Sequence, residues 1–411
     1  MSGLPVSVVV VSQNRPDLLK RCLTGLSQVQ HAPFEIIVVA DAAGLSALRD
    51  LPFADDIKTV PFDEANISAA RNLGITHAAG QIVAFIDDDA VPEPQWLRYL
   101  VSGARRPDVV AMGGFVRGRN GISFQWKARG LDPMGMPYPL EVDETRATVL
   151  HPPEGHAVKL EGTNMAVRRD TLVEVGGFDA AFHYFLDETD LCMRLGQKRY
   201  ATAIVPLAEV HHGFAANRTR TLARVPRDLS EIGASRAVFQ RKHVEEQDRA
   251  RQWSDIRAEE RKRLLKHMVA GGLLPGDVRR LMRGLDAGYE SGLARVLRPA
   301  QIARHPATPF KPFPSRLRPA SVISTRPFRK NRDLKEARKR VAGGEIVTLL
   351  SLSRSSLFHH VWFSTDGIWR QTGGIFGKSD RSQSYFRLNS RRKRIEIECR
   401  RVGRQRGLPD G

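Results

Sequence analysis

Residues 81–86, Gln-Ile-Val-Ala-Phe-Ile, run straight into three consecutive aspartates, Asp87, Asp88 and Asp89. An apolar run rich in β-branched residues and closed by charges reads as a strand of a parallel sheet, buried on both faces, whose carboxyl end emerges into solvent. Open α/β sheets bind ligands at those strand ends. Three adjacent carboxylates repel one another, so a cation, a ligand donor or good solvation must offset the repulsion. Hard oxygen ligands on a short turn suit Mg²⁺ or Mn²⁺. Taken alone, the triplet reads equally as a solvated acidic turn or a helix cap.

The rest of the first half repeats the strand-then-helix pattern. Residues 6–11 form an apolar strand, and Pro16 fits the first turn of the helix that follows. Residues 34–40 give a second strand ending at Asp41. Residues 59–62 give a short edge strand, because proline is confined to edges or strand ends. Residues 66–79 read as a helix with Asn66 as its N-cap. Farther on, strands are expected over 160–167 and 201–205, with a helix over 187–198 between them. Such alternation argues an α/β domain with helices on both faces of a parallel sheet.

Four stretches then fall where loops meet at one sheet edge. Ser12-Gln13-Asn14-Arg15-Pro16 follows the first strand, Asp41 ends the second, Ala70-Arg71-Asn72-Leu73-Gly74 lies in the third helix, and the triple aspartate ends the fourth strand. They are joined by Gly162-Thr163-Asn164-Met165, Gly176-Gly177-Phe178-Asp179, Asp187-Glu188-Thr189-Asp190 and His211-His212. This ordered set, over about residues 5–215, resembles the inverting nucleotide-sugar glycosyltransferases of family 2, with the GT-A (nucleotide-diphospho-sugar transferase, Rossmann-like) fold.

The resemblance implies a nucleotide-diphospho-sugar donor and a saccharide or lipid-linked acceptor, in surface polysaccharide or glycolipid synthesis. It assigns Ser12, Asn14, Arg15 and Asp41 to the nucleoside, with Arg71 as a charged neighbour. Asp89 matches the ligand of Mn²⁺ or Mg²⁺, while Asp87 or Asp88 reaches the ribose or the metal's water shell. His211, taken from the pair His211-His212, would add a third ligand, and a structural histidine pair is the alternative. Asn164 and Asp190 fall to the acceptor or sugar, although Asn164 also suits a turn and Asp190 also suits a pairing with Arg194, its i+4 neighbour. The catalytic base should lie in Asp187-Glu188. The family pattern reads Glu-Asp there and this chain inverts it, so the base position holds Glu188, with Asp187 as the second choice. A carboxylate at that place takes the acceptor hydroxyl's proton as its oxygen attacks the anomeric carbon.

The formal charge of +19 divides unevenly along the 411 residues. Residues 1–215 carry 20 Lys and Arg against 26 Asp and Glu, whereas residues 216–411 carry 44 against 19. A basic excess of that size predicts an anionic contact, and an anionic membrane surface ranks above nucleic acid because no zinc finger or RNP-like aromatic motif accompanies it. The expected division is a GT-A domain over 1–215, a charged helical extension over 216–299, a Pro/Arg-rich linker over 300–343, and a small basic β-rich module over 344–411. Cys22, Cys192 and Cys399 are too dispersed for a metal site or a disulfide framework. With no basic leader, and an apolar stretch at 6–11 too short to span a bilayer, a soluble cytoplasmic protein is expected, peripheral at the inner face of the membrane.

Overall fold

In the first strand, Val8 and Val10 pack into one apolar cluster and Val9 into another on the opposite face. Successive strand residues point to opposite sides, so an unbroken valine run is stable only with both faces covered. The computed structural model, which describes residues 3–213, 218–297 and 300–409, shows that arrangement.

Strands β1 (Val6–Ser12), β2 (Phe34–Ala40), β3 (Lys58–Pro61) and β4 (Ile82–Asp87) are parallel neighbours in the order β4-β1-β2-β3. Helices α1 (Pro16–Leu26), α2 (Ala42–Leu48) and α3 (Ile67–His77) connect them. Asn66 caps α3, its side-chain oxygen accepting from the Ala69 N–H at 3.0 Å. After β4 come β5 (Ala90–Pro92), α4 (Trp96–Leu100), β6 (Val109–Arg117) and β7 (Phe124–Trp126). A three-stranded side sheet follows, from β8 (Arg129–Leu131), β9 (Pro137–Pro139) and, after β10 (Thr148–Leu150), β11 (Ala157–Lys159). The main sheet is completed by β12 (Met165–Arg168), which lies antiparallel between β4 and β6, and by β13 (Ala201–His212). Helices α5 (Arg169–Val175) and α6 (Asp187–Gln197) lie between those last two strands in sequence. The result is the mixed α/β sheet of a GT-A domain, ordered β10-β13-β6-β12-β4-β1-β2-β3.

The helical extension is α7 (Ser230–His243), α8 (Glu246–Val269) and α9 (Pro275–Ala294). A Cβ at Gly288 would sit 1.9 Å from the Ser230 carbonyl oxygen, so glycine is what lets α9 lie against α7. The expected boundary at 215/216 falls among residues 214–217, outside the described residues.

The stretch expected as a linker, 300–343, is not one. Its first part is a strap along the GT-A domain: the backbone N–H groups of Ala307, Lys311 and Phe313 donate to Thr76 O, Glu35 Oε2 and Phe34 O at 2.8, 2.8 and 2.7 Å. The Phe313 ring is buried against Phe34 and Phe53. Its second part already belongs to the C-terminal unit, as β14 (Ala320–Thr325) and α10 (Lys330–Ala342). That unit continues with β15 (Ile346–Ser353), β16 (His360–Phe363) and β17 (Ile368–Gly374), ordered β14-β15-β17-β16, and ends in α11 (Arg391–Arg406). Among the described residues no helix is long and apolar enough to cross a membrane.

Candidate functional site

The parallel strands β1, β2 and β4 deliver their carboxyl ends to one edge, and the candidate residues gather there. Asn14 adopts a left-handed φ of 57° just past β1, and its N–H donates to Asp41 Oδ2 at 2.6 Å. The other Asp41 oxygen caps α2, accepting from Gly44 N–H at 2.8 Å. Asp41 thus locks the β1 and β2 loops together.

The three aspartates have separate partners. Asp88 turns into the β1 loop, where Ser12 Oγ and Arg15 Nη1 donate to it at 2.7 and 2.9 Å. Burial raises its pKa to about 6 in spite of Arg15. Asp87 and Asp89 point instead toward His212. The His212 Nε2 lies 3.0 Å from Asp89 Oδ1 and 3.9 Å from Asp87 Oδ2. One ligand atom from each of the three lies within 4.8 Å of the others. Two carboxylates and an imidazole form a donor set that suits Mn²⁺, with oxygen ligands that also suit Mg²⁺.

The histidine beside the aspartates is therefore His212, and the expectation of His211 is corrected. His212 pairs with Ala90 in the β5–β13 register, directly after Asp89. His211 faces the other way, its Nε2 2.9 Å from Glu93 Oε1 and its ring 5.0 Å from that of Trp369.

Arg71, 3% exposed, joins the two acidic groups. Its Nη2 donates to Asp87 Oδ1 at 3.1 Å and its Nη1 makes a short bond to Asp187 Oδ2. A Cβ at residue 162 would fall 2.6 Å from Arg71 Nη2, so Gly162 leaves the room that the guanidinium needs.

Asp187 and Glu188 open α6, whose N-terminal dipole favours carboxylates. They follow Phe185 and Leu186, two non-glycine residues at φ 74° and 67°, a conformation that persists only when its surroundings enforce it. Asp187 is 2% exposed, and burial raises its pKa against the pull of Arg71. The Glu188 side chain is 19% exposed and accepts from Lys159 Nζ at 2.5 Å. Although burial would raise the Glu188 pKa, the Lys159 ammonium holds it below the ordinary range.

Two expected substrate contacts are instead internal. Asn164 is fully buried, donating to Phe115 O and Ala208 O at 2.9 and 2.8 Å and accepting from Trp96 Nε1 at 2.7 Å, which leaves no group for a sugar. Asp190 is also fully buried, between Arg194 Nε (2.9 Å), Lys242 Nζ (2.7 Å) and His243 Nε2 (2.8 Å), where it ties α6 to α7. The reading of Asp190 as the partner of Arg194 matches; the reading as a sugar contact does not. Sequence reasoning passed over Lys159, whose signal was a lone cation in the apolar segment Ala157-Val158-Lys159-Leu160.

A model of the family described as glycosyl transferase family 2 matches residues 7–170. The glucosyl-dolichyl phosphate glucuronosyltransferase of Haloferax volcanii is 30% identical over 243 residues, covering 53% of this chain and 71% of that protein. The chain belongs to glycosyl transferase family 2. As a family 2 member it is a glycosyltransferase. The pre-mycofactocin glycosyltransferase of Mycobacterium tuberculosis is 26% identical over 226 residues, 53% of this family 2 chain and 45% of that one. Among solved structures, the mannosyltransferase PcManGT from Pyrobaculum calidifontis, in complex with GDP-Man and Mn²⁺, aligns at 17% identity and a TM-score of 0.41, covering 70% of this chain and 87% of that one.

Proposed function

We propose that this glycosyltransferase moves a sugar from a nucleotide-diphosphate donor to a hydroxyl of a saccharide or lipid-linked acceptor, with inversion and with the help of a divalent cation. The observation that carries the reading is the Arg71 bridge, which holds the Asp87–Asp89–His212 group next to the Asp187–Glu188 pair. One group suits a leaving diphosphate and the other an attacking hydroxyl, as a single displacement requires.

The loop locked by Asp41 receives the nucleoside, with Ser12, Asn14 and Arg15 around it. Asp87, Asp89 and His212 would hold Mn²⁺ or Mg²⁺, which supplies positive charge to the leaving diphosphate. Glu188 is the base, because it is the more exposed of the acidic pair and Lys159 keeps it ionised and oriented. As the acceptor oxygen forms its bond to the anomeric carbon and the bond to the diphosphate breaks, the hydroxyl proton passes to Glu188. Asp187 positions Arg71 from behind.

A thermal-shift screen of UDP-, GDP- and dTDP-sugars with and without Mn²⁺ selects the donor, since only a nucleotide that binds the folded state raises Tm. Transfer to a saccharide or prenyl-linked acceptor with that donor should then give the inverted anomer by NMR. A retained anomer, or binding that ignores the cation, would refute the reading.

A further inference from the structure

The C-terminal unit lies outside the region matched by the family, and one end of it exposes apolar side chains that its own core does not use. Leu357, Phe358, Tyr385, Phe386 and Leu388 are all exposed, Tyr385 by 76% and Leu388 by 82%. Contacts join their two stretches of chain into one surface. The Phe358 and Tyr385 rings are 6.1 Å apart, Phe386 packs at 5.2 Å on Phe376, and the Arg387 N–H donates to Phe376 O at 3.2 Å. A Cβ at Gly377 would lie 1.9 Å from Leu357 O, so glycine lets the 374–378 turn close on the segment that carries Leu357 and Phe358. Contiguous exposed apolar surface of this kind marks a contact site.

Cations surround it. Residues 376–394 carry seven Lys and Arg against one Asp. Lys378 Nζ sits 4.0 Å from the centre of the Tyr385 ring and 5.8 Å from that of Phe358, which props the two rings at the surface. Arg381, Arg387 and Lys393 are exposed, and among the described residues none of these three side chains forms an ion pair. The single acid, Asp380, is occupied by the Ser382 N–H and hydroxyl, which donate to it at 2.9 and 2.7 Å. Arg391, Arg392 and Lys393 open α11 with no acid in that turn, at the end where the helix dipole favours anions, so a negative partner would relieve them.

Leucine and aromatic side chains ringed by lysine and arginine match a lipid headgroup layer, where apolar groups enter the acyl boundary and cations meet anionic headgroups. Single-stranded nucleic acid would stack on the aromatic rings but gains nothing from Leu357 and Leu388.

We propose that the surface formed by Leu357, Phe358 and residues 385–393 docks on an anionic lipid bilayer. The Val361 N–H donates to Asn120 O and Arg381 Nε to Ser123 Oγ, at 2.9 and 2.8 Å, so docking brings the transferase domain to the bilayer with it. Docking of this surface is independent of the reaction proposed above.

The test is co-sedimentation of the full chain with vesicles of equal parts phosphatidylglycerol and phosphatidylcholine, against vesicles of phosphatidylcholine alone and a single-stranded oligouridylate. The mixed vesicles should bind and the neutral ones should not. Arg387→Gln with Lys393→Gln should weaken vesicle binding at least about tenfold, at roughly fivefold for each cation near an anionic surface. Tyr385→Ser with Leu388→Ser should weaken it by at least about tenfold as well, and this loss should persist in salt that screens the charges. Both pairs are exposed, so both double variants should keep the Tm of the unaltered chain. Lys335→Gln with Lys339→Gln removes the same charge from α10, which packs on the opposite face of the sheet from α11, and should leave binding intact. Equal binding to neutral vesicles, an apolar double variant that binds like the unaltered chain, or an equal loss from the α10 pair overturns the proposal. So does binding to the oligouridylate tighter than to the mixed vesicles.

Discussion

Arg406, on the last turn of the C-terminal helix, donates to both carboxylate oxygens of Glu93, at 2.9 and 3.0 Å, and Glu93 in turn lies 2.9 Å from His211 Nε2. The guanidinium also donates to Thr348 Oγ1 at 3.0 Å and sits 4.3 Å from the centre of the Trp369 ring. Arg406 is fully buried and Glu93 is 2% exposed. The C-terminal unit is thereby anchored one residue from His212, directly behind the acidic site.

Removing the cation would leave Glu93 charged in an apolar setting. Breaking a buried pair from one side costs about 3–5 kcal/mol, so Arg406→Ala should lower stability by that amount in urea denaturation. Arg392→Ala, at an exposed position of the same helix, should cost less than about 0.5 kcal/mol. Equal effects from the two would show that the anchor is not specific.

The adjacent histidines separate metal from scaffold. His212→Ala should weaken Mn²⁺ binding by more than about tenfold, measured by calorimetry. His211→Ala should leave Mn²⁺ affinity intact and cost about 1–3 kcal/mol, because a buried Glu93 oxygen loses a partner. The opposite pattern would return the metal role to His211.

Which histidine faces the aspartates could not be read from the sequence, for a physical reason. Strand phase alternates only while the ladder is regular, and the β13–β6 register shifts between Val205 and Val210, past Pro206. Phase counted from Ala201 is therefore lost before the pair is reached. The aspartate-bearing strand end was legible because β4 is an uninterrupted apolar run, which only burial on both faces explains. Helix α11 was missed because its buried positions include Arg394, Glu398, Gln405 and Arg406, paired polar groups that show no hydrophobic period. The strap through Phe313 read as a linker because main-chain hydrogen bonds, invisible in composition, hold much of it in place.

Three substitutions test the base. Glu188→Gln should reduce turnover by roughly 10²- to 10⁴-fold while donor affinity is kept, since the lost carboxylate meets the acceptor hydroxyl. Asp187→Asn should act through Arg71 and weaken donor binding as well. Lys159→Met removes the ammonium that holds the Glu188 pKa down, so the acid limb of the pH–rate profile should move to higher pH. A lethal Asp187→Asn with full donor binding, beside a mild Glu188→Gln, would transfer the base to Asp187.

Asp88 gives a stability test with a definite sign. Its folded pKa is raised to about 6 by burial, above an unfolded value of about 3.9. Below about pH 3 the carboxyl is neutral in both states and costs nothing. As pH climbs toward 6 the unfolded chain ionises first, and stability falls by about 3 kcal/mol in all from this group. Asp88→Asn is neutral throughout, so in EDTA its stability relative to the wild-type chain should rise by about that amount between about pH 3 and 7. Mn²⁺ should shrink the difference, because a cation held by Asp87 and Asp89 favours an ionised neighbour. A difference that ignores pH would mean that Asp88 is ionised across the range, its charge fully carried by Arg15 and Ser12.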